Sequence, residues 1–62
     1  MYEDLASLSD RLKVEQKRLL LSAASNPGMP SGSTLERVAQ LELNIAAIEN
    51  LLAEERSVDA ER

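Results

Sequence analysis

Carboxylates are the plentiful reactive groups in this sequence. Eleven Asp and Glu stand against seven Lys and Arg, with no histidine and no cysteine. Catalysis needs a positioned base, nucleophile or metal. The adjacent pairs Glu3-Asp4 and Glu54-Glu55 do not supply one, because neighbouring side chains on a helix point about 100° apart. A carboxylate metal site between helices needs Glu-x-x-His pairs, and there is no histidine to complete them. The stretch NPGMPSGST has two glycines but neither the spacing nor the lysine of a phosphate-binding loop. No enzyme, metal or cofactor is therefore expected. Glu42 and Glu49 lie seven residues apart, with Arg56 seven further on. That line has the position of charges flanking a helix seam, which set how helices pair. Glu15 can reach Arg11 or Arg18 on its own helix, a type of pair worth a few tenths of a kcal/mol.

Charge and composition narrow the partners. The net charge is −4. Arg11, Lys13, Lys17 and Arg18 form a basic cluster in the first half, beside Glu3, Asp4, Asp10 and Glu15. From Ser33 onward seven acidic residues face only Arg37, Arg56 and Arg62. Nucleic-acid backbones demand a basic face, and Tyr2 is the only aromatic residue available for stacking on bases. Nucleic acid is not an expected partner. No stretch approaches the roughly 20 apolar residues that span a bilayer, and MYEDLASLSD has no apolar run of signal-peptide length. A soluble, cytoplasmic protein is expected, without membrane contact.

The elements that position these groups follow from NPGMPSGST (Asn26 to Thr34), which holds both prolines and both glycines. Asn26-Pro27 disfavours helical geometry at Asn26, and Gly28 and Gly32 permit positive φ. On either side the sequence is helical. In the first half Leu5, Leu8, Leu12, Leu19, Leu20 and Ala23 make an apolar stripe, extended by Tyr2 and interrupted by Gln16. In the second half Val38, Leu41, Ile45, Ile48 and Leu52 step by three and four, the heptad pattern of a helix laid against another helix. Ser33 and Glu36 match a capping box. The expected fold is all-α: one antiparallel two-helix hairpin, coiled-coil-like, with a helix over about 2–25, a loop at 26–33, a second helix over about 34–57 and a frayed tail at 58–62.

A chain of 62 residues is short for an independent core, and such chains rely on disulfides, metals or partner chains. Without cysteine or histidine, a partner chain is what remains. Leu43, Ala47 and Leu51, spaced by four, lie away from the second helix's seam. Contiguous exposed apolar patches usually mark interaction sites, so these three are expected to face a partner. Ala39, Ala46 and Ala53 form a strip that admits a close helix neighbour. Val14 and Leu21 are lone surface residues. Met29, between two prolines, is a second place where a partner could anchor.

The layout resembles the small E-type co-chaperones of bacterial type III secretion needles. The resemblance spans nearly the whole chain. It rests on the M-x-x-D-L start of MYEDLASLSDRL, the first-helix end QKRLLLSAAS, and the L-E-x-x-I-x-x-I pattern of LELNIAAIENLL. It implies a protein that, with a helical-repeat chaperone, clamps the needle subunit and keeps it monomeric in the cytoplasm until export. By the same analogy Leu5, Leu8, Leu12, Leu19 and Leu20, or the line Leu43, Ala47 and Leu51, would meet the partner. Two other readings stand beside it. One is a homodimer in which two hairpins form a four-helix bundle, as a small regulator or structural adaptor of antitoxin or phage type. The other is an RNA-binding bundle using Arg11, Lys13, Lys17 and Arg18.

Overall fold

The computed structural model describes residues 1–60, and the side chains of residues 1–55. Helix α1 covers Tyr2–Ala24 and helix α2 covers Gly32–Ala60. They pack against each other along one antiparallel seam, and the molecule is a rod of 52 × 15 × 14 Å.

The seam follows an unbroken heptad in both helices. With a and d as the seam positions of abcdefg, α1 places Tyr2, Ser9, Gln16 and Ala23 at a, and Leu5, Leu12 and Leu19 at d. In α2, Val38, Ile45 and Leu52 take a, while Thr34, Leu41, Ile48 and Glu55 take d. The burial obeys this register. Leu41, Ile45 and Ile48 are the buried apolar residues, and Leu5, Leu12, Leu19, Val38 and Leu52 are half-buried. Leu8 and Leu20, expected on the α1 stripe, are instead exposed, because each stands one position outside the 3–4 alternation.

Ser9 takes the seam position that Leu8 was expected to fill. It is only 3% exposed, and its Oγ has no hydrogen-bond partner. The antiparallel register sets it opposite Ile48, where a small side chain lets the two backbones approach. The hydroxyl itself contributes nothing there, and an unsatisfied buried polar group costs about 1–3 kcal/mol. Ser9→Ala keeps the small volume and removes that cost. It should raise stability by about 1 kcal/mol, read as a higher midpoint in thermal or urea unfolding followed by circular dichroism.

The turn is built differently from the glycine-based expectation. Neither glycine has positive φ. Helix α1 ends in αR geometry at Ser25, whose Oγ donates to the Ser22 carbonyl at 2.8 Å, while Asn26 Nδ2 donates to the same oxygen at 3.2 Å. Those side chains occupy the Ser22 carbonyl, the backbone N–H groups of Ser25 and Asn26 take those of Leu21 and Ala23, and the two prolines, with φ fixed near −65°, turn the chain without a left-handed residue. The Ser33–Glu36 capping box does not form. Helix α2 starts two residues earlier, at Gly32, and Ser31 caps it: Ser31 Oγ accepts from the Thr34 backbone N–H at 3.2 Å. Ser31 is better placed because it directly follows Pro30, where the chain first leaves the turn. Gly32 is therefore a helical residue, and a Cβ there meets nothing within 4 Å. Gly32→Ala should stabilise the hairpin by about 0.5–1 kcal/mol, measurable in the same unfolding experiment.

At its other end α2 continues through Ala60, past the expected boundary at Ser57. No glycine or proline follows Gly32 to stop it. Of the tail expected to fray, residues 58–60 are helical and residues 61–62 lie outside the described part.

Candidate functional site

The residues beside the seam form two edges of the hairpin. When two helices run antiparallel, reversing one of them brings its e positions opposite the other's e positions, and g opposite g. The cross-helix contacts agree. Lys13 Nζ lies 3.6 Å from Glu49 Oε1, both at e, and Arg37 reaches Glu15 at 3.9 Å, both at g. Gln16 Nε2, at the seam, donates to Glu42 Oε2 at 2.8 Å. Glu42 and Glu49 thus do act as seam-flanking charges. The side chain of Arg56 lies outside the described part.

The e edge is mostly charged. Its apolar pair, Leu20 and Leu35, sits near the loop, and α2 otherwise offers Glu42 and Glu49 there, with Ala39, Ala46 and Ala53 behind them. The g edge differs. Leu8 and Leu51 are 37% and 44% exposed and face each other across it near the open end, with Ala47 one turn further along. Leu5 and Leu52 lie half-buried beneath them. Here the two helices together present one apolar surface.

Acidic residues lie at the open end of this edge, Asp4 on α1 and Glu54 on α2. Beyond the leucines come Arg11, Arg18 and Arg37. Glu15 stands among these cations and is held by them: Arg18 Nε and Nη2 donate to its two oxygens at 2.7 and 2.9 Å. Those hydrogen bonds lower the Glu15 pKa from its ordinary value. Partial desolvation opposes them, and the charges of Arg18 and Arg37 add to them. Arg18 is raised in turn, chiefly by the same hydrogen bonds. A lowered carboxylate pKa means that the interaction acts above the ordinary titration range and is lost as pH falls through the shifted value.

The structure distributes the expected partner-facing residues over several surfaces. Leu8, Ala47 and Leu51 share the g edge. Leu5, Leu12 and Leu19 belong to the seam. Leu20 is on the opposite edge, and Leu43, 71% exposed, is on the back of α2, as Val14 and Leu21 are on the back of α1. The basic cluster is also divided. Arg11 and Arg18 flank the g edge, Lys13 is on the e edge, and Lys17 lies behind Lys13. A single basic face for nucleic acid is not assembled.

A concavity of about 320 Å³ lies under the loop between Leu19, Ala23, Met29, Pro30 and Thr34. No titratable side chain lines it. Met29 at its rim is 86% exposed. Among the described residues no three His, Cys, Asp or Glu gather to hold a metal, and no helix is long and apolar enough to cross a membrane.

Two features of the site escaped sequence reasoning. Ser9 in the seam and Leu35 on the e edge would both have emerged from counting heptads back from Val38 and Leu12, rather than following the leucines. No protein-family model matches the chain, and no curated protein and no solved structure matches it.

Proposed function

We propose that this chain is a protein–protein interaction module whose hairpin is completed by a helical partner docking on the Leu8–Leu51 edge. Specifically, it acts as a co-chaperone that, with a helical-repeat chaperone, keeps a type III secretion needle subunit monomeric in the bacterial cytoplasm. No catalytic step is part of this reading.

The observation that carries the docking reading is the exposed apolar pair Leu8 and Leu51, one from each helix, 37% and 44% exposed. The chain exposes 4943 Å², whereas a compact monomer of 6.8 kDa would expose about 4,000 Å². The excess, about 1,000 Å², follows from the 52 × 15 × 14 Å rod shape and leaves surface that a partner can cover. Helical partners with an apolar stripe are the natural occupants of a two-helix groove. The needle-subunit assignment draws on the MYEDLASLSDRL and LELNIAAIENLL patterns.

The test is co-expression with a helical-repeat chaperone and its needle subunit, followed by size-exclusion chromatography with light scattering. The reading expects a soluble one-to-one-to-one complex. Needle subunit that polymerises equally with and without this chain would refute it.

A further inference from the structure

The g edge changes sign along its length. From the open end toward the loop it reads acidic (Asp4, Glu54), apolar (Leu8, Leu51, Ala47), then net basic, with Arg11 free of ion pairs among the described residues and Arg18 and Arg37 gathered around Glu15. A surface with that sequence of charges complements itself when one copy is inverted. A copy laid on in the same direction would set Asp4 and Glu54 against their own equivalents. An inverted copy, related by a two-fold axis crossing both helices, sets Asp4 of each chain against Arg11 of the other, twice, with Leu8 meeting Leu8 and Leu51 meeting Leu51 at the axis.

We propose that the free chain pairs with a second copy of itself through this edge, in the inverted arrangement, and that a helical partner must displace that copy to bind. The displacement rests on the docking reading above; the pairing itself does not. Three observations support it. The apolar centre is formed by both helices, so each copy covers the other's exposed leucines. Leu8 and Leu51 are 37% and 44% exposed in the single chain, apolar surface that an isologous contact would cover. The alternative e edge also has a leucine pair, Leu20 and Leu35, but that pair sits at the loop end, and the carboxylates Glu42 and Glu49 lie to one side of it only, with Glu49 already tied to Lys13.

Such a resting dimer would regulate access to the site. Partner affinity measured on the free chain would fall as its own concentration rises, because only the monomer presents the leucines.

The chain has no cysteine, so a single introduced thiol reports geometry without interference. Leu8→Cys, at the axis, should form an intermolecular disulfide efficiently under air and copper–phenanthroline, with two thiols oxidised and oxygen reduced. Leu43→Cys, on the back and more exposed, should form it far less. Equal cross-linking of the two variants, or faster cross-linking at Leu43, overturns the arrangement. Sedimentation velocity supplies the second arm. Asp4→Arg and Arg11→Asp should each weaken dimerisation by about tenfold, and the double exchange should restore it. Circular dichroism confirms retained helix in each variant. A wild-type chain that stays monomeric at every concentration refutes the pairing, as does a double exchange that fails to restore it. A monomer whose partner binding still depends on Leu8 and Leu51 would refute self-pairing alone and leave the docking reading intact.

Discussion

Ile45→Asp is expected to abolish the folded hairpin, with loss of most of the helical circular-dichroism signal at 25 °C. Ile45 is 5% exposed, the lowest of the apolar residues, and sits midway along the seam between Leu41 and Ile48. Removing its buried side chain alone forfeits about 1.5–3 kcal/mol. A carboxylate in its place adds a desolvation cost of several kcal/mol, since the position is buried in an apolar stretch of the seam between Leu41 and Ile48. Helix propensity falls as well. Among the described residues only three apolar side chains are buried, at 5–8% exposure, so the molecule has little reserve against such a loss. Ile45→Val is the control. It trims one methyl group at a cost of about 0.5–1.5 kcal/mol and should leave the helix content intact with a lower melting temperature. An Ile45→Asp variant that keeps its helicity and melts within a few degrees of the parent would show that the seam does not hold the hairpin together.

The double replacement Leu8→Ser, Leu51→Ser should do the reverse, sparing the fold and weakening partner binding. Each side chain is only partly buried in the isolated hairpin, at 37% and 44% exposed, so the variant should melt at a lower temperature while keeping its helix content. In a complex their remaining exposure, 37% and 44%, would be covered, together about four-fifths of one leucine, so losing both removes roughly 1–2.5 kcal/mol of interface burial. At 1.4 kcal/mol per decade, affinity for the helical partner should fall roughly tenfold or more, measured by calorimetry. The matched control is Leu20→Ser, Leu35→Ser on the opposite edge, with an equal number of leucines removed and affinity unchanged. If the control lost binding and the test variant kept it, docking would belong to the e edge.

The division between what could be read and what could not follows from the physics of each feature. Two helices, a central break and an antiparallel hairpin were legible because breakers act locally: Pro27, Pro30 and the glycines interrupt any helix, whatever surrounds them. The α2 seam was legible because Val38, Leu41, Ile45, Ile48 and Leu52 are all apolar and hold one period. The α1 seam was not, because its heptad runs through Ser9 and Gln16 while Leu8 and Leu20 lie beside it. Hydrophobicity pointed to the wrong neighbour, and period alone would have pointed to the right one. The cap was misplaced for a similar reason. Ser31 and Ser33 are both plausible caps, and the direction in which the chain leaves Pro30 selects between them.

The candidate site shows the same boundary. The sequence by itself determined which apolar residues exist beyond the seam, that no histidine or cysteine chemistry is available, and that Glu42 and Glu49 border the seam, since each of these depends on residue type or on spacing within one helix. Only the tertiary structure decided that Leu8 and Leu51 share an edge with Ala47, that Leu20 and Leu43 do not, and that the basic cluster is split between two edges. An edge consists of residues from both helices, and which residues meet depends on the antiparallel register, set by seam packing and by the Lys13–Glu49, Gln16–Glu42 and Glu15–Arg37 contacts. Periodicity describes one helix at a time, so it cannot specify a surface that two helices make together.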